Sequence, residues 1–81
     1  MGKRIILPGK FLGMHVKEHC LNRMRARDIS LDDIEKVITN PDRVIPYKRV
    51  NRKRYQAMTE RGFITIITDL KQKNLYTCWV N

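Results

Sequence analysis

Four side chains that are cationic, or become so on protonation, recur at every fourth position: His15, His19, Arg23 and Arg27. On a helix this spacing makes one row, because four residues turn through about 400°. Such a row is suited to phosphate chemistry. Cleaving RNA without a metal requires a base for the 2′-hydroxyl proton and an acid for the leaving oxygen. It also requires cations for the charge that builds on the phosphate. Histidine titrates near neutrality and transfers protons. Arginine offers a fixed fork to phosphate oxygens. His19 is therefore the candidate proton carrier, and Arg23, one turn on, the candidate phosphate ligand. His15 lies nearer the helix start and reads as a substrate contact or an exposed residue. A plainer reading stays open, with His19 a satisfied, partly buried histidine and Arg23 paired with an acid.

The second candidate feature is a cluster of cations. Arg43, Lys48, Arg49, Arg52, Lys53 and Arg54 lie within twelve residues that contain no acid, and Tyr47 and Tyr55 are interleaved. Single-stranded nucleic acid is bound by this combination of charge and stacking platforms. Cations also protect sheet edges from aggregation, so a solvated edge is the alternative. Thr77 sits in mid-strand, where a hydroxyl can hold a phosphate oxygen or orient a histidine, although threonine is also a good strand former. By alternation Leu75, Thr77 and Trp79 share one face of that strand, and Tyr76, Cys78 and Val80 the other. Asp69 reads as a turn cap.

Seventeen Lys and Arg against eight Asp and Glu give a formal charge of +9 over 81 residues. That excess points to an anionic partner, with nucleic acid first, an acidic protein second and an anionic membrane surface third. The apolar runs are too short to span a bilayer, so no membrane insertion is expected. Cys20 and Cys78, with no Cys-x-x-Cys, read as small core residues in a reducing compartment. Nothing in the sequence calls for a metal or another cofactor, and the absence of a His-Glu-x-x-His motif leaves zinc without support.

These residues need elements to hold them. Residues 1–11 read as an arm or short strand, "RIIL", stopped by Pro8-Gly9, and residues 12–81 as a single domain. Leu12, Val16, Cys20 and Met24 predict a helix over 12–27, whose apolar stripe lies about 100° from the His/Arg row. Ser30 with Asp33 predicts a capped helix that ends at Asn40-Pro41. Strands are predicted at "RVIPYKRV", "RKRYQAMT", "FITIITDL" and "LYTCWV". The expected class is α+β, with two N-terminal helices packed on a three- to four-stranded antiparallel sheet.

The stretch "HCLNRMRARDISLDDIEKVITNPD" resembles a family of very small bacterial domains. Their pattern is His-x3-Arg-Met-x2-Arg-x-Ile-Ser, followed by a helix that ends in Asn-Pro-Asp. Further matches are Arg54-Tyr55, the strand from Phe63 to Asp69, and Thr77, so that residues 15–80 are covered. That family is similar to the RelE-like, barnase, EndoU and colicin-type ribonuclease superfamily, whose members occur in toxin–antitoxin pairs and at the tips of contact-dependent inhibition toxins. The resemblance implies a metal-independent endoribonuclease toxin that leaves a 2′,3′-cyclic phosphate, with structured RNA such as tRNA as substrate. It implies His19 as acid/base, Arg23 and Arg27 on the phosphate, and Thr77 and Tyr55 as contributors from the sheet. It further implies an acidic immunity or antitoxin partner, and action in a bacterial cytoplasm by a protein made there or delivered into it. Asp28 stands where the family pattern commonly has glycine. A non-catalytic RNA-binding module on the same fold, and a toxin acting through a protein target, are the competing expectations.

Overall fold

Leu12 and Gly13 both lie at positive φ, 55° and 79°. A two-residue hairpin turn needs this backbone, and it folds β1 (Gly9–Phe11) antiparallel onto β2 (Met14–Val16). The computed structural model describes residues 9–81. The strand expected at residues 4–7 lies outside the described residues.

This hairpin corrects two expectations. The first helix, α1, spans Glu18–Arg27 rather than 12–27. Met14 and Val16 are buried on either side of the exposed His15, which is the alternation of a strand. The four-residue ladder from Leu12 to Met24 thus mixed a turn, a strand and a helix. The expected three- to four-stranded antiparallel sheet is also overturned. Among the described residues the sheet has six strands in the order β1-β2-β6-β5-β4-β3, and β2 runs parallel to β6, pairing His15 with Asn74 and Val16 with Leu75. The helices therefore follow two strands instead of opening the fold. The class remains α+β.

The remaining elements are α2 (Leu31–Thr39), β3 (Arg43–Tyr47), β4 (Arg52–Thr59), β5 (Gly62–Thr68) and β6 (Asn74–Val80). The strand expected over 43–50 stops at Tyr47, and Lys48–Val50 form a short 3-10 turn. At α2 the capping box is complete. The Asp33 amide donates to Ser30 Oγ at 3.1 Å, and the Ser30 amide donates to Asp33 Oδ2 at 3.0 Å. Helix α1 ends on Asp28 in the left-handed region, φ 56°. Asp tolerates that region because its short polar side chain bonds locally.

The core lies between the helices and one face of the sheet. α1 packs on β6, and α2 packs on β4 and β5. Cys20, Leu21 and Met24 of α1 and Ile34 and Val37 of α2 meet Tyr55, Ala57, Ile64, Ile66, Leu75 and Cys78. These sheet residues face each other in register, as in the row Tyr55–Ile66–Cys78. The intervening positions Arg54, Gln56, Met58, Phe63, Thr65, Ile67, Thr77 and Trp79 belong to no part of this core. They lie on the opposite face, which no described helix covers.

Two carboxylates lock the fold locally. Burial opposes the ionised form of Asp33, but the Ser30 amide and the Arg61 guanidinium outweigh it and hold the carboxyl below its usual range. Asp69 behaves likewise. Burial is outweighed by the amides of Asn74 and Lys73, which donate to Oδ1 at 3.1 and 2.6 Å. A folded-state pKa below the unfolded value of about 3.9 adds stability above that pH. The stability is lost as pH falls through the folded pKa. Denaturant midpoints measured from pH 6 downward are therefore expected to fall below about pH 4. An Asp33→Asn/Asp69→Asn protein should be weaker at pH 6 and show a flatter acid limb.

Candidate active site and nucleic-acid surface

Because α1 begins at Glu18, the row of four divides. His15 belongs to β2, while His19, Arg23 and Arg27 remain on the helix, all exposed. Cys20, Leu21 and Met24 turn inward, so Arg23 lies on the flank of the buried stripe with His19 one turn before it. Arg23 reaches the sheet electrostatically. The Cys78 thiol is lowered by its hydrogen bond with Cys20 and then by the charge of Arg23, against the effect of burial. Cys20 is pushed up by that same bond and by burial. Both thiols are free and fully buried, with sulfurs 3.7 Å apart.

Neither Tyr55 nor Thr77 stands on the exposed flank of α1 that carries His19 and Arg23. Tyr55 is 2% exposed in the core. Its hydroxyl accepts a hydrogen bond from Gln72 Nε2, and the Lys53 ammonium lies 5.4 Å from its ring centroid. Thr77 precedes Cys78, and Cys78 faces α1, so Thr77 points to the opposite side of the sheet. Arg27 is exposed in the last turn of α1, and the neighbouring Asp28 carboxylate pairs with Arg61 at 3.2 Å.

The cationic cluster is likewise divided by the pleat. Lys53 stands on the helix-covered face with Tyr55. Lys48 and Arg49 are exposed on the 3-10 turn. Arg52 and Arg54 stand on the open face. There the Arg52 guanidinium lies 3.8 Å from the Tyr76 ring centroid, and that of Arg54 lies 5.4 Å from Tyr47. Register shifts between Ile67 and Thr68, whose partners are Thr77 and Leu75, leaving Tyr76 as the extra residue of a bulge. Its pairing with Arg52 was hidden from sequence reasoning, since simple alternation set Tyr76 on the face of Cys78. Trp79 shares the open face with Thr77. Its alternation was visible in the sequence, but the lack of a covering helix was not.

Among the described residues, no group of three or more His, Cys, Asp and Glu side chains could hold a metal ion. No described helix is long and apolar enough to cross a membrane.

Comparison with curated proteins and with solved structures gives no match. A family model does match residues 16–80, from the end of β2 to the end of β6. That span takes in both helices, the His19–Arg23 flank and four of the strands, and the chain belongs to the family described as Domain of unknown function (DUF4258).

Proposed function

We propose that this domain is a metal-independent endoribonuclease whose cutting edge is the exposed flank of α1. The observation that carries this reading is the pair His19–Arg23, one helical turn apart and both open to solvent. His19 takes the proton from the 2′-hydroxyl as its oxygen attacks the adjacent phosphorus. Arg23 holds the non-bridging oxygens, where charge accumulates in the transition state. The bond from phosphorus to the 5′ oxygen breaks, and that oxygen takes a proton from solvent at this exposed edge. The products are a 2′,3′-cyclic phosphate and a 5′-hydroxyl. With a charge of +9, the domain is suited to gather an RNA backbone, tRNA included. The same charge suits an acidic inhibitor, an immunity or antitoxin protein that covers this flank.

The test is incubation of purified protein with total bacterial RNA in EDTA, followed by mapping of cut ends. Discrete cuts with cyclic-phosphate ends, lost in His19→Ala, support the reading. RNA that stays intact while still binding the protein would replace it with a binding-only module. One observation favours that second reading: Tyr55 is buried in the core and Thr77 lies on the face of the sheet away from α1, so neither stands on the exposed flank with His19 and Arg23.

A further inference from the structure

The open face of the sheet is built unlike an ordinary solvated surface. No strand from β2 to β6 contains an aspartate or glutamate. Outward positions carry His15, Arg43, Arg52 and Arg54, with Tyr47 and Trp79 beside them. Two of these arginines are set against rings, Arg52 on Tyr76 and Arg54 near Tyr47. A guanidinium held against a ring presents a flat, delocalised cation whose shape is already fixed. The Arg54 Nε atom is buried without a hydrogen-bond partner. At the centre Gln56 Nε2 donates to Thr65 Oγ1 at 3.1 Å, and Thr65 is fully buried although no described helix covers it. Trp79 is its cross-strand partner.

We infer that this face is a second site, a stacking platform for single-stranded nucleic acid. Bases lie on Trp79 and on the tyrosine–arginine pairs, and phosphates meet Arg43, Arg52 and Arg54. A duplex hides the flat faces of its bases and would use only the cations. An acidic protein would satisfy the charges but has no use for rings paired with guanidinium groups. The inference rests on the reading of RNA as the partner, and it places the bound strand apart from the cutting edge. The two surfaces meet at one end of the sheet. There Val16 pairs with Leu75, Leu75 with Thr68 and Thr68 with Lys53, and α1 starts two residues after Val16. A strand lying on the open face can pass over that end to His19.

Trp79 is the only tryptophan, so its fluorescence reports this face alone. The probe is a single-stranded 2′-O-methyl oligonucleotide of about twelve nucleotides, within the usual site sizes. Lacking the 2′-hydroxyl nucleophile, it tests binding apart from cleavage. Titration is expected to quench Trp79. Arg52→Gln and Tyr76→Leu, each checked for wild-type circular dichroism and melting, are expected to weaken binding about tenfold. Arg52→Gln should also reduce the slope of log affinity against log salt by about 0.7. The inference is overturned by binding without quenching, by wild-type affinity in both variants, or by equal quenching with a duplex of the same sequence. It is also overturned if polyglutamate quenches Trp79 as strongly and displaces the probe. Quenching by a protein that never cuts RNA would sink the ribonuclease reading and leave the platform standing. Cutting without quenching would do the reverse.

Discussion

His19→Ala is expected to reduce RNA cleavage by about two to four orders of magnitude, the usual contribution of a positioned acid or base. Melting temperature should barely change, because His19 is exposed and the apolar contacts of α1 run through Cys20, Leu21 and Met24. Arg23→Lys keeps the charge but removes the fork, so it should fall between wild type and Arg23→Ala. Thr77→Val supplies the contrast. Thr77 lies across the sheet from α1, and its loss should spare most of the activity. If Thr77→Val were as inactive as His19→Ala, the catalytic centre would belong to the open face, and the role given to α1 would be wrong.

The largest expected effect on stability comes from Ile66→Ala. Ile66 is fully buried between Tyr55 and Cys78 in the row beneath the helices. Truncating a buried isoleucine costs about 2–5 kcal/mol, through lost transfer energy and the cavity left behind. A domain of 81 residues has on the order of 4–12 kcal/mol in all. The variant should therefore lose a large part of its urea midpoint and sit near unfolding at 37 °C. Met58→Ala is the control. Met58 is 60% exposed on the open face, and its loss should shift stability by no more than about 0.5 kcal/mol. Comparable losses in the two variants would mean that the helix-covered face does not hold the main core.

Much of this fold was legible because local chemistry and tertiary structure agree. Ser30 and Asp33 announce α2 and form both bonds of its cap. The β-branched run Ile64-Thr65-Ile66-Ile67-Thr68 announces β5. The β1–β2 hairpin was not legible, because its turn puts Leu12 at positive φ, where Asn or Asp would have given the signal. Parallel pairing of His15 with Asn74 joins segments far apart in the chain, and no local pattern encodes it. The candidate site shows the same limit. Spacing on α1 gave His19 and Arg23 as neighbours, but Thr77 could be separated from them only once Cys78 was seen against Cys20. The pairing of Tyr76 with Arg52 depends on one extra residue in β6, which alternation alone cannot reveal.

The packing of α1 on β6 also sets an order of assembly. The contact between Cys20 and Cys78 spans 58 positions of the chain. A ten-residue helix is marginal in water without a surface to pack on. During synthesis α1 therefore waits for residues 74–80 to leave the ribosome before it can dock. The pair His19–Arg23 becomes fixed only when β6 closes the sheet between β2 and β5. A chain interrupted before Asn74 holds every residue of the proposed cutting edge but not the strand that steadies it. An RNA-cutting activity of the kind proposed would stay off until residues 74–80 had emerged to close the sheet, so the growing chain would carry no finished cutting edge.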